Sequence, residues 1–340
     1  EGDQMAWPDM KHGDGHVERS ANGAVLRVGA TLNFQEPEVE LVVSKRDASG
    51  TDLGLEGARW DARAVTIENA REFSTQPTLD VEGFELRASN LEALAIDFYD
   101  DLDIIGRYYA ECEHLVREAF GGAPATVKAF DHNVRSAEGF EHGRRLKGGN
   151  AVQKPVGFTH TDYTPVSAPR RLEMLAQPPK QNDALRTTLG ADGTLLSEDD
   201  IAGMRSGDRR YGIVNVWRSI LVEPVQAFPL ACCDARTTSR EDLLVFQIKY
   251  VDRTGENHFV RHSAKQRWVY YDAMERTEAL LLKQWDSAGV LAGDTGGASE
   301  DETAQPSPAT FALHSAFIDP TSPEEGAVRE SIEVRCAVIF

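Results

Sequence analysis

The sequence predicts a mainly β protein, an antiparallel barrel or sandwich with helices packed outside it. Three observations lead there. Short runs of β-prone residues recur through the last two thirds of the chain, polar turns divide them, and one stretch alone sustains a helical period.

The first hundred residues are rich in strand and loop signals. Gly23-Ala-Val-Leu-Arg-Val-Gly29 and Glu38-Val-Glu-Leu-Val-Val43 alternate or cluster apolar residues over strand lengths, with Asp47-Ala-Ser-Gly50 as a polar spacer. From Asn90 to Phe120 the spacing changes to three and four: Leu91, Leu94, Phe98, Leu102, Ile105, Tyr109, Cys112, Val116 and Phe120 mark one face of a long helix, or of two broken near Asp100-Asp101. Gly121-Gly122 ends it. Strand patterns then return at 125–130, 212–217, 243–250, 266–271, 279–283 and 331–340, and Arg253-Thr-Gly-Glu256 reads as a hairpin turn. Two segments have no such period. Residues 178–210 mix Pro, Gln, Asn, Gly and charge, and 292–308 are rich in Gly, Ser, acid and Pro. The second is expected to be a mobile flap near the barrel mouth or an insertion hanging in solvent. With no internal repeat and no sharp composition shift, the 340 residues are expected to form one domain. Residues 1–124 would pack on a core of 125–340, with insertions at 178–210 and 292–308.

Composition narrows the function. The chain has 41% hydrophobic residues, enough for a sizeable core. Lys and Arg number 36 against 55 Asp and Glu, a formal charge of −19, which repels phosphate backbones and anionic membranes. Neither nucleic acid nor membrane is therefore an expected partner. The longest apolar runs are a few residues, far short of the roughly 18 that span a bilayer, and no secretory leader is expected. Cys112, Cys232, Cys233 and Cys336 are too few and too scattered for a disulfide framework. Buried reduced thiols in a reducing, cytoplasmic setting are expected.

Nine histidines make chance pairings easy; Asp131-His132 and Lys11-His12 already put charge beside imidazole. One ordered set is more specific. His160 and Asp162 are two apart at the end of a strand-like run, so their side chains share a side. His314 follows 154 residues later (314−160), and Arg329 and Ser331 share one strand face 15 residues beyond that (329−314). Two histidines and a carboxylate can occupy one face of an octahedral Fe(II), leaving three positions open. A 2-oxo acid chelates through two and O2 takes the third. The far carboxylate of a five-carbon 2-oxo acid then needs a buried guanidinium, with a hydroxyl as extra donor. The bland alternative is that both histidines are satisfied barrel residues and Arg329 pairs with Glu330 or Glu333.

The chain resembles the Fe(II)/2-oxoglutarate oxygenase superfamily, and within it the hydroxylase/desaturase family that includes the fungal gibberellin desaturase and the cephem 7-alpha-methoxylation protein. The resembling runs are Phe158-Thr-His-Thr-Asp-Tyr163, Asn215-Val-Trp-Arg218, Pro229-Leu-Ala-Cys-Cys-Asp234, Arg267-Trp-Val-Tyr-Tyr271 and Trp285-Asp286-Ser287. His314-Ser-Ala-Phe317 and Arg329-Glu-Ser-Ile-Glu-Val-Arg335 complete them, with a weaker likeness at Val65-Thr-Ile-Glu-Asn-Ala-Arg71. The resemblance implies a double-stranded β-helix (a distorted, cupin-like jelly roll), Fe(II) held by His160, Asp162 and His314, and 2-oxoglutarate clamped by Arg329 and Ser331. It also implies O2 as oxidant and a small secondary metabolite or modified amino acid as substrate. That substrate would be hydroxylated, desaturated or closed into a ring by C–H abstraction. The distance between the two histidines exceeds what the superfamily usually shows, which requires both aperiodic segments to lie outside the barrel.

Further residues are weaker candidates for touching substrate: Tyr163, next to the ligand motif; Asn215 and Trp217, if they face inward; Arg218, if a bulge turns it inward; and Arg135, as an anchor for an anionic group. Asp234 is expected to pair with Arg236 or Arg240, and Trp268, Tyr270 and Tyr271 to fill the barrel. Two other readings stay open: an iron oxidase that uses O2 without 2-oxoglutarate, and a non-catalytic jelly-roll binding protein. The oligomeric state is left open.

Overall fold

The computed structural model describes residues 7–46, 52–91, 94–180, 183–251, 253–293, 307–323 and 328–340. The segment expected to be a flap lies almost wholly outside them. In chain order the strands are β1 (Val17–Arg19), β2 (Val25–Gln35), β3 (Leu41–Arg46), β4 (Asp52–Glu56), β5 (Trp60–Asn69), β6 (Phe84–Ala88), β7 (Thr126–Ser136) and β8 (His160–Thr161). They continue with β9 (Tyr211–Ser219), β10 (Leu230–Cys233), β11 (Leu243–Lys249), β12 (Thr254–Val260), β13 (Trp268–Tyr270), β14 (Glu278–Asp286), β15 (His314–Ala316) and β16 (Glu330–Ile339). Among the described residues they form two sheets: one of eleven strands, β1-β2-β5-β13-β10-β15-β8-β12-β11-β3-β4, and one of five, β6-β14-β9-β16-β7. The result is a mainly β jelly roll, as the sequence predicts.

The five-stranded sheet explains its own sequence. β9 lies at its centre, buried along nearly its whole length, because Asn215 and Trp217 face the other sheet while Val214 and Val216 face the helical layer. β16 alternates likewise, with Ile332, Val334 and Cys336 in the core shared with Tyr109, Cys112 and Val116. Those three belong to the helical layer, where α1 (Asp101–Asp103) runs through a π turn at Ile104–Tyr108 into α2 (Tyr109–Ala119).

The helix therefore begins at Asp101, about ten residues later than its apolar spacing suggests. Asp100 caps it by accepting from Leu102 N and Asp103 N, and the earlier apolar residues Leu91, Ile96 and Phe98 enter the core from irregular backbone. Gly121 and Gly122 end it with φ of 61° and 78°. The expected turn at 253–256 overlaps a strand, since β12 already begins at Thr254. Thr254 already pairs with Lys249, and Tyr250 N donates to Arg253 O.

Residues 178–210 hold two helices that their lack of period concealed, α5 (Arg186–Leu189) and α6 (Glu198–Ser206); α3 (Ala137–Glu141) and α4 (Ser167–Leu175) precede them. α6 has a legible start: Ser197 and Asp200 form a capping box, with Ile201 and Met204 buried beyond it. Its short apolar face, two residues in nine, is what hid it. All four cysteines are buried and unpaired, as expected. No described helix is long and apolar enough to cross a membrane.

Candidate active site

Backbone pairing brings the distant histidines together. Thr159 is pinned to β2, its N–H and hydroxyl both donating to Asn33 O, and Asn33 Nδ2 donates to Gly157 O. His160 then opens β8 directly opposite His314 of β15, with ring centroids 4.4 Å apart. Each ring is oriented by the same device. His160 Nδ1 lies 3.0 Å from Phe158 O and His314 Nδ1 lies 3.2 Å from Ala312 O. A carbonyl can only accept, so Nδ1 carries the proton and the Nε2 lone pair is left free. Burial, then the neighbouring His314, pushes the His160 pKa down to about 3.

Asp162 completes the cluster, its Oδ1 3.7 Å from His160 Nε2. One ligand atom from each of the three residues lies within 4.8 Å of the other two. The second oxygen is occupied. Oδ2 accepts from Asn215 Nδ2 at 3.1 Å and from Arg335 Nε and Nη2 at 3.3 and 3.1 Å. Burial works to raise this carboxyl's pKa, but Arg335 and the two histidines hold it well below the usual carboxylate range. A bulge in β14 between Lys283 and Trp285 brings Gln284 into play: its Oε1 accepts from Asp162 N and Thr161 Oγ1.

Arg329 lies just before β16 and lines the same small cavity as the three clustered residues, along with Arg135, Trp217 and Glu333. It is 4% exposed. Its Nε donates to Ser331 Oγ at 3.2 Å, Nη1 donates to Phe228 O, and the guanidinium lies over the Trp217 ring at 5.0 Å. Phe228 has a φ of 49°, a left-handed conformation rare for a bulky side chain, and it is this residue's carbonyl that meets Arg329. Among the described residues no carboxylate pairs with Arg329; Glu330 pairs with Arg144 and Glu333 with Arg335. Burial, then Arg135, pushes its pKa down to about 9.

The weaker candidates divide. Trp217 and Arg135 line the cavity, whereas Asn215 stands behind Asp162 as a donor. Tyr163 is not among the cavity's lining; it packs partly buried against the main core. Arg218 is a correction: no bulge turns it inward. It is fully buried on the other face of β9, donating to Tyr108 Oη, Ser89 O, Ser89 Oγ and Arg276 O, so it ties that sheet to the π turn and not to the cavity. Asp234 pairs with Arg236 through two hydrogen bonds, and Trp268, Tyr270 and Tyr271 are buried, as expected. His132 is held between Tyr109 Oη and Asp101 and belongs to the helix–sheet contact. Sequence reasoning did not foresee the roles of Arg335, Glu333 and Gln284 around Asp162. The first two were within reach, since the parity linking Arg329 to Ser331 continues to both. Gln284 depends on a bulge that no sequence pattern marks.

The donor set fits a divalent transition metal: two free imidazole Nε2 atoms, one free carboxylate oxygen, and hydrogen-bonded partners behind each. A jelly roll with such a set beside a buried, unpaired guanidinium defines a class, the metal-dependent oxidoreductases that activate O2. The chain belongs to the family described as oxidoreductase/YMDC permease-like domain, whose model matches residues 32–189 and 195–339. It is 27% identical over 331 residues to the hydroxylase/desaturase efuI of Hormonema carpetanum, covering 92% of this chain and 95% of the relative. It is 27% identical over 286 residues to the Fe(II)/2-oxoglutarate-dependent dioxygenase nvfI of Aspergillus novofumigatus, covering 82% and 84%. A protein from the dcmA 3' region of Methylophilus leisingeri is 31% identical over 205 residues, 60% of this chain and 88% of that one. A solved structure of the iron and alpha-ketoglutarate-dependent endoperoxidase NvfI shares the fold, with a TM-score of 0.68 over 94% of this chain and 99% of that one at 22% identity. By class the protein is an Fe(II)/2-oxoglutarate-dependent oxygenase, an enzyme that uses Fe(II), 2-oxoglutarate and O2.

Proposed function

We propose that His160 Nε2, His314 Nε2 and Asp162 Oδ1 hold Fe(II), and that Arg329 with Ser331 receives the distal carboxylate of 2-oxoglutarate. The observation that carries this is a buried guanidinium without a carboxylate partner among the described residues, in the same cavity as the ligand cluster. A cation so buried is costly unless an anion completes it, and a dicarboxylate chelated at the cluster would do so. Bound Fe(II), with 2-oxoglutarate and O2, supplies the oxidation of a substrate C–H bond, while the keto acid is split into succinate and CO2.

The chain's own residues do the rest. The two carbonyls behind the imidazoles fix their tautomer, Arg335 and Asn215 keep Asp162 ionised and aimed, and Trp217 covers the flat side of the clamp. Arg135, also in the cavity and without a carboxylate partner among the described residues, anchors an anionic group of the substrate. The substrate is a small secondary metabolite or modified amino acid, hydroxylated, desaturated or ring-closed, and the enzyme works in the cytoplasm.

The test is succinate release measured against product, with and without 2-oxoglutarate. One succinate per substrate oxidised, abolished in His160→Ala, is expected. Product formed at full rate without 2-oxoglutarate would overturn the clamp and favour an O2-only oxidase.

A further inference from the structure

A second cavity, of about 300 Å³, opens beside β11 and β12 and shares no lining residue with the cavity at the ligand cluster. Its size is at the lower end of those that hold small organic ligands. Leu243, Val245, Leu291 and Phe311 make its wall largely apolar.

Into this wall are set polar groups that the fold leaves unused. His258 is 8% exposed, and its Nδ1 has no hydrogen-bond partner among the described residues. Two guanidiniums, Arg240 and Arg261, also line the cavity. Among the described residues both bond only backbone carbonyls: Arg240 those of Leu291 and Gly293, Arg261 those of Pro37, Val39, Glu241 and Leu243. Glu40 is the one acid in the lining, and no described cation pairs with it. Orphaned buried donors are uncommon in folded proteins, because each forfeits its bond to water. Here one orphaned group and two guanidiniums that pair with no described carboxylate meet in one apolar hollow.

We infer that this cavity is a second ligand site, distinct from the iron cavity, for a small apolar carboxylate whose tail lies against Leu243 and Phe311 and whose head meets His258 and Arg240. An apolar cation would find no acid but Glu40, and a purely apolar ligand would leave the donors unmet. The site also abuts the metal strand, since His258 pairs across β12–β8 with Thr161, between His160 and Asp162.

Titration calorimetry on the intact protein tests this, with 3-phenylpropanoate, decanoate and the neutral 3-phenylpropanamide as probes. At least one acid should bind once per chain and at least tenfold more tightly than the amide, with an affinity unchanged by saturating 2-oxoglutarate. His258→Phe should weaken the acid at least tenfold, while His258→Gln, which keeps a hydrogen-bonding head, should stay within about threefold of wild type. Failure of both acids to bind, equal binding of acid and amide, displacement by 2-oxoglutarate, or indifference to His258→Phe would each overturn the proposal. Displacement would also place the probe in the iron cavity without touching the reading of that site.

Discussion

Arg335 Nη2 sits 3.1 Å from Asp162 Oδ2, on the side of the carboxylate away from His160. The pairing divides the two oxygens: one is held by the protein, the other accepts no hydrogen bond from a described residue. Arg335 also reaches Asp131 and Glu333, so it is the hub of a buried charge network and not a spare cation.

Arg335→Met should therefore lower affinity for Fe(II), or for Co(II) as a spectroscopic stand-in, by about 10–100-fold. Direct metal titration measures it. Arg335→Lys should recover only part, because a point charge cannot reach Asp162 and Glu333 with a planar fork. Unchanged metal affinity in Arg335→Met would show that Asn215 alone suffices to aim Asp162.

At the clamp, Arg329→Ala should raise the 2-oxoglutarate concentration needed for half-maximal turnover by tens- to thousands-fold. That follows from a loss of about 2–5 kcal/mol when a buried carboxylate loses its guanidinium. Metal affinity should hardly move. An Arg329→Ala enzyme with unaltered 2-oxoglutarate dependence would point to Arg135 as the clamp.

Arg218 gives the opposite pattern. Arg218→Leu strips partners from Ser89, Tyr108 and Arg276 in a buried layer, at a cost of about 2–4 kcal/mol. Denaturant midpoints should fall accordingly, while the half-saturating 2-oxoglutarate concentration of the folded fraction stays within twofold. A selective change in substrate or co-substrate affinity, with stability intact, would contradict the placement of this side chain.

Acid stability has a readable sign. Burial, then Arg240, pushes the His258 pKa down to about 4, so the folded protein resists a proton that the unfolded chain accepts near pH 6.5. The unfolded state binds more protons between those values. This contribution is therefore complete above about pH 6.5 and lost as the pH falls toward 4, amounting to roughly 3 kcal/mol at most. Urea midpoints of wild type and His258→Gln, compared at pH 7.5 and 4.5, isolate it: the variant should lose less on acidification. Parallel losses would mean that other groups carry the acid sensitivity.

The sequence by itself determined the strands whose apolar residues alternate or run unbroken and the helix end at a glycine pair, and it singled out the candidate set His160, Asp162, His314, Arg329 and Ser331. These were legible because they depend on local rules, such as i and i+2 sharing a strand face. Only the tertiary structure decided what lies between the parts. It set His160 opposite His314 across 154 residues (314−160), turned Gln284 inward at a bulge, gave Arg335 to Asp162 and sent Arg218 to the helical layer. Parity assigns a side chain to a face of its strand, but what that face meets depends on which strands pair and in which register. Register is fixed by the burial of a whole sheet at once, a property that no short window of sequence contains.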